Sequence, residues 1–94
     1  MRRLVLTPRF KRAWRKFVQH DKNLAVRIEE TLRQLQADAF VPRLSAHKLS
    51  GRLAGLWACS CGHDCRIVFS IETDANTGQE VIILLDIGTH DEVY

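Results

Sequence analysis

Residues 55–88 read GLWACSCGHDCRIVFSIETDANTGQEVIILLDIG. The stretch breaks into three apolar blocks and two turns. Gly55–Cys61 and Arg66–Ile71 are rich in β-branched, aromatic and small apolar residues, and the tight-turn sequence Gly62-His63-Asp64 separates them. Thr73–Gly78 is a second turn, with Asp, Asn and Gly at close spacing. Val81–Ile87 is almost continuously apolar, as expected of a strand covered on both faces at the centre of a sheet, and Gly88 ends it. The period of these blocks predicts a three-stranded meander.

Working outward, the first half of the chain has a helical period. Leu4-Val5-Leu6 is a short apolar run that can start a strand. Thr7-Pro8 then reads as a helix start, Thr as N-cap and Pro at the first helical position. Phe10, Ala13, Trp14, Phe17 and Val18 fall on one stripe. Asp21 can cap a second helix, in which Leu24, Ile28, Leu32 and Leu35 form another stripe. The link around His20-Asp21 is short enough to fold the two helices into an antiparallel hairpin. Pro42 ends the helical region. The expected architecture is α+β in the order β-α-α-β-β-β: one domain over residues 1–94, with an antiparallel sheet and a helical hairpin packed on one face.

Composition sets the class. A chain of 94 residues, 46% hydrophobic and 27% charged, suits one small globular domain. No apolar run approaches the roughly 20 residues that span a bilayer. The N-terminus Met1-Arg2-Arg3-Leu4 carries charge without a long apolar stretch, so no signal peptide is expected and a cytoplasmic address follows. Cys59, Cys61 and Cys65 are odd in number and crowded together, a poor disulfide framework; free thiols are expected. The net charge is +3 and unevenly spread. Residues 1–50 hold 12 Lys/Arg against 4 Asp/Glu, and residues 51–94 hold 2 against 7. A basic half suits nucleic acid or an acidic protein segment, although a solvated helix face is the commoner fate of such residues.

Four histidines bear on chemistry. His20 lies between the helices, His47 in a polar loop before the sheet, His63 in the tight turn beside Asp64, and His90 after the last strand. Tyr94 follows His90 by four residues, so one helical turn would place both rings on one face. Metal-free RNA cleavage needs a base for the ribose 2′-OH, a cation for the phosphate and an acid for the leaving oxygen. Histidines and a carboxylate at one end of a sheet can supply the proton transfers. The run Cys59-Ser60-Cys61-Gly62-His63-Asp64-Cys65 offers thiolates and an imidazole, but its spacing is not the paired knuckle of zinc sites, so small residues packed in a sheet are the preferred reading.

The element order resembles the RelE/ParE toxin superfamily, and its YafQ-type branch in particular. Three segments carry the likeness, which spans the chain: His47-Lys48-Leu49-Ser50-Gly51, Asp64-Cys65-Arg66-Ile67-Val68-Phe69 and Gly88-Thr89-His90-Asp91-Glu92-Val93-Tyr94. The resemblance implies a type II toxin that enters the ribosome, cuts mRNA there and is inhibited by a cognate antitoxin in a hetero-oligomer. By the same resemblance His47 and His90 are catalytic histidines, Asp64 an active-site aspartate, Tyr94 an aromatic that orients a base, and Arg66 a phosphate contact. Lys48, Arg52 and His63 complete the expected site as substrate-binding residues. No metal or cofactor is expected, and no membrane. One departure stands out: YafQ-type toxins carry a further histidine where this chain has Ser60. The alternative is a ParE-like, non-catalytic inhibitor of DNA gyrase, which has no use for the His90 and Tyr94 pair. A structural or antitoxin-like role is disfavoured by the basic charge.

Overall fold

The computed structural model describes residues 2–94. Strand β1 (Arg3–Leu6) leads directly into helix α1 (Pro8–Phe17). Thr7 makes that corner: its Oγ1 accepts from the Phe10 N–H at 3.2 Å and donates to the Leu84 carbonyl at 2.8 Å. The helix is thus capped and tied to the sheet by one hydroxyl. Helix α2 (Lys22–Ala37) begins with Asp21 Oδ1 accepting from the Leu24 N–H at 3.0 Å. Both expected caps are therefore present.

Strands β2 (His47–Lys48), β3 (Trp57–Gly62), β4 (Cys65–Thr73) and β5 (Glu80–Gly88) follow, and helix α3 (His90–Val93) closes the chain. The sheet order is β1-β5-β4-β3-β2. The meander β3-β4-β5 is antiparallel, as the apolar blocks predict. The sheet as a whole is mixed, because β1 pairs parallel to β5 with Arg3 opposite Val81 and Leu6 opposite Leu84. A four-residue apolar run signals a strand but says nothing of its partner or direction, so that pairing was not legible. The polar segment expected to be a loop before the sheet also contributes a strand, His47 and Lys48 pairing with Ala58 and Trp57.

The helical hairpin covers one sheet face. Phe10, Ile28, Leu32 and Leu35 from the predicted stripes join Cys59, Ile67, Phe69, Ile82 and Leu84 in one buried cluster. Burial of such side chains stabilises the fold by about 1.5–3 kcal/mol each. By strand alternation Ala58 and Val68 face the other way, and they too are buried. Helix α3 packs against β4 and β5, with Val93 buried.

The cysteines depart from expectation. Cys61 and Cys65 are joined by a disulfide, their Cα atoms 5.0 Å apart, and only Cys59 is a free, buried thiol. The register between β3 and β4 shifts at Ser60/Gly62, so that Gly62 rather than Cys61 stands opposite Cys65. That bulge and the two-residue turn bring the two sulfurs together. Sequence spacing alone carries no sign of the bulge.

Candidate active site

The site begins with the short helix α3. Thr89 Oγ1 accepts from the Glu92 N–H at 3.3 Å, and Glu92 Oε1 accepts from the Thr89 N–H at 2.9 Å. This capping box holds four residues that would otherwise fray. The two hydrogen bonds with Thr89, backbone first, hold the Glu92 carboxyl below its ordinary range. Gly88 allows the close turn: a Cβ there would stand 3.1 Å from Glu92 Cβ and Oε1. The consequence is the geometry foreseen for the tail. The rings of His90 and Tyr94 meet edge to face with centroids 4.6 Å apart.

The β3–β4 turn reaches the same place. Asp64 sits in the left-handed region at φ +49°, a conformation that Asp tolerates better than most side chains. Its Oδ1 accepts from the His90 N–H at 3.1 Å, so the turn grips the first residue of α3. Arg66 Nη1 donates to the carbonyls of Cys65 at 2.9 Å and Gly62 at 3.3 Å. That fixes its guanidinium near Tyr94. Partial burial raises the Tyr94 phenol above its usual range, with the Arg66 charge opposing the shift, so the hydroxyl stays protonated.

His47 and Arg52 come from the other side. Together with Leu49, Ser50, Leu53 and Tyr94 they line a cleft of about 270 Å³. His47 Nδ1 lies 3.0 Å from the Ser45 carbonyl oxygen. An oxygen with no proton can only accept, so Nδ1 carries the hydrogen and Nε2 of the neutral ring is left as a base. Tyr94 therefore joins two groups: His47 and Arg52 across the cleft, and His90, Asp64 and Arg66 behind it. Lys48 alternates to the opposite sheet face, its Nζ 5.6 Å from the Trp57 ring centre. His63 is exposed in the β3–β4 turn and makes no polar or ring contact among the described residues. Ser60 stands opposite Arg66 in the ladder, its Oγ bonded to Gly62 across the bulge.

Two features escaped the reading of the sequence. The Thr89-x-x-Glu92 spacing is a capping-box signature and was open to view. The second is a larger groove, about 640 Å³, between α2 and the end of β3. Among the described residues no three His, Cys, Asp or Glu side chains are grouped to hold a metal ion.

The two-layer α+β domain with its mixed five-stranded sheet has the fold of the RelE-like toxins. Residues 2–94 match the family profile described as the bacterial toxin of type II toxin-antitoxin systems, YafQ, and the chain belongs to that family. Solved structures share the fold. The YoeB/ParE toxin from Agrobacterium tumefaciens superposes with a TM-score of 0.75 at 17% identity, covering 94% of this chain and 98% of its own. YafQ from E. coli gives 0.69 at 14% identity, covering 100% and 99%. YoeB in a heterotetrameric YoeB-YefM toxin-antitoxin complex from Staphylococcus aureus gives 0.69 at 22% identity, covering 96% and 98%. No curated protein matches the chain.

Proposed function

We propose that this toxin is an endoribonuclease that cuts mRNA on the ribosome through the ribose 2′-OH, without a metal. The observation that carries the reading is the junction at Tyr94, where the cleft holding His47 and Arg52 meets the His90–Asp64 pair. His47, with Nε2 free, takes the 2′-OH proton. Arg52 and Arg66 neutralise the phosphate, and His90 returns a proton to the leaving 5′-oxygen. Tyr94, neutral and half-exposed, offers a ring on which a base stacks. Asp64 fixes His90 through the backbone. Lys48, outside the cleft, serves as a cation along the path of the RNA backbone, and His63 as a hydrogen-bonding group there.

The partner of the free toxin is a cognate antitoxin, in a complex like that of the YoeB relative with YefM. An acidic antitoxin and the polyanionic ribosome both suit the basic first half of the chain, and both belong to the cytoplasm. Induced expression in bacteria tests the reading. Primer extension on a translated transcript is expected to show cuts within codons, relieved by the antitoxin. Intact mRNA with supercoiling defects would establish gyrase poisoning instead.

A further inference from the structure

The groove between α2 and the end of β3 lies apart from the cleft at His47 and Tyr94. Cys61 lines it, as do Arg27, Arg33 and Arg43, with Glu30 the single acid. Arg27 lies across the β3–β4 turn: a Cβ at Gly62 would stand 2.7 Å from its Cδ and 2.8 Å from its Nη1. Cys61 is itself only 2% exposed; its disulfide partner Cys65 is fully buried and does not line the groove. The disulfide encloses only Gly62, His63 and Asp64. Two groups of the proposed site hang from that ring. Asp64 holds the His90 N–H, and Arg66 is held by the carbonyls of Gly62 and Cys65.

We propose that Cys61 and Cys65 form an exchangeable dithiol–disulfide pair, opened and closed through this groove by an anionic low-molecular-weight thiol of the glutathione class. Three arginines against one glutamate favour an anionic thiol, and of the two cysteines Cys61 is the one at the groove wall, so attack falls on it as the turn opens. In closing, the Cys61 thiolate attacks the small disulfide, forming a mixed disulfide and releasing one small thiol. The Cys65 thiolate then attacks the Cys61 sulfur, closes the protein disulfide and releases the second. Two electrons pass from the cysteines to the small disulfide, and the two cysteine protons end on the released thiols. Opening is the reverse, with attack on Cys61 and Cys65 departing into the core. Because the ring is short, the bond orders the turn more than it stabilises the whole fold. The closed form is the one that fixes Asp64 and Arg66; its effect on cleavage rests on the ribonuclease reading.

The test equilibrates the full chain in glutathione buffers of graded oxidation, then counts free thiols by alkylation and mass spectrometry. Two thiols are expected to titrate together. The ¹H–¹⁵N resonance of the His90 amide is expected to shift with the same midpoint, as its hydrogen bond to Asp64 loosens. Arg27→Ala is expected to slow reduction by glutathione several-fold while leaving reduction by uncharged dithiothreitol unchanged. Cys61→Ser, whose strands stay paired, is expected to hold the His90 amide at its reduced position in every buffer. A disulfide that never opens, or one that opens with the His90 amide unmoved, would overturn the proposal. In ribosome assays cleavage is expected to fall several-fold on reduction. An amide that moves in a protein cutting no RNA in any buffer sinks the ribonuclease reading and leaves the thiol pair standing.

Discussion

The Asp64 carboxylate accepts the His90 backbone N–H at 3.1 Å, joining the β3–β4 turn to the helix that ends the chain. In the ribonuclease reading proposed above, Asp64 acts through position rather than by touching RNA. Asp64→Ala removes the acceptor and forces alanine into the left-handed region, at a cost of about 1–2 kcal/mol. Misplacing a reacting group by 1 Å lowers rate by roughly 10²-fold. A drop of that order in mRNA cleavage is expected for Asp64→Ala, with a melting temperature lowered only by the local strain. Asp64→Asn keeps an acceptor oxygen and tolerates the backbone, so most activity is expected to return. Equal loss in both variants would show that the carboxylate charge, not the hydrogen bond, is what matters.

His90 is exposed and contributes little to the core, so its replacement separates chemistry from folding. His90→Ala is expected to abolish toxicity, since a positioned acid or base contributes about 10²–10⁴-fold in rate. Tyr94→Ala is expected to cost less, because stacking one base is worth roughly 1–3 kcal/mol. Toxicity in cells, paired with circular dichroism and antitoxin binding, measures both. A folded His90→Ala protein that stays fully toxic removes His90 from the mechanism and favours a non-catalytic toxin.

Local signals were legible and long-range ones were not. Thr7, Pro8 and Asp21 announce helix starts, because a cap is made within three residues of its own chain. The meander is legible from Val81–Ile87 and its two turns. The parallel pairing of β1 with β5 joins residues from opposite ends of the chain, and period alone does not report it. The disulfide depends on the bulge at Ser60/Gly62, a backbone irregularity without a side-chain signature. Within the site, the spacing of His90 and Tyr94 implies their contact. The cleft that His47 shares with Tyr94 joins residues 47 positions apart, and the segment between Ser45 and Gly55 bends through left-handed residues that no spacing rule reports.

Phe10 links the first helix to the sheet and is wholly buried, its ring 5.8 Å from that of Trp14. Phe10→Ala is expected to cost about 3–5 kcal/mol, combining lost transfer energy with the cavity left behind. Small domains have only about 5–15 kcal/mol to lose. Urea unfolding is expected to show a much lower midpoint at an unchanged slope. A midpoint close to that of the parent would mean that α1 is not anchored through this ring.

Cys59 is the free thiol, and burial pushes it up to about 12, with the Arg66 charge opposing. The reactive form of a cysteine is the thiolate. Native protein near pH 8 is therefore expected to resist alkylation at Cys59 even after Cys61 and Cys65 are reduced, and to react once denatured. Peptide mapping after timed iodoacetamide treatment reads this directly. Rapid native labelling at Cys59 would show that the sheet opens there.

The capping box makes the tail sensitive to acid. Hydrogen bonds with Thr89 hold the folded Glu92 carboxyl below its ordinary value of 4.5, against opposing effects of desolvation and, smaller, of the Asp64 charge. The folded pKa is lower than the unfolded one, so the ionised group favours the helical tail. That contribution is complete above the unfolded value and is lost as pH falls through the folded one. As pH drops below 4.5 and through the lowered folded value, the edge-to-face contact of His90 and Tyr94 is expected to dissolve before the core unfolds, read as a loss of ring-to-ring nuclear Overhauser effects. Glu92→Gln keeps an oxygen for the Thr89 N–H but lacks the charge that favours a helix N-terminus. It is expected to weaken the ring contact at neutral pH and to flatten its dependence on acid. A variant that keeps the full acid transition would place its origin in another carboxylate, with Asp64, which accepts the His90 N–H, the first to replace.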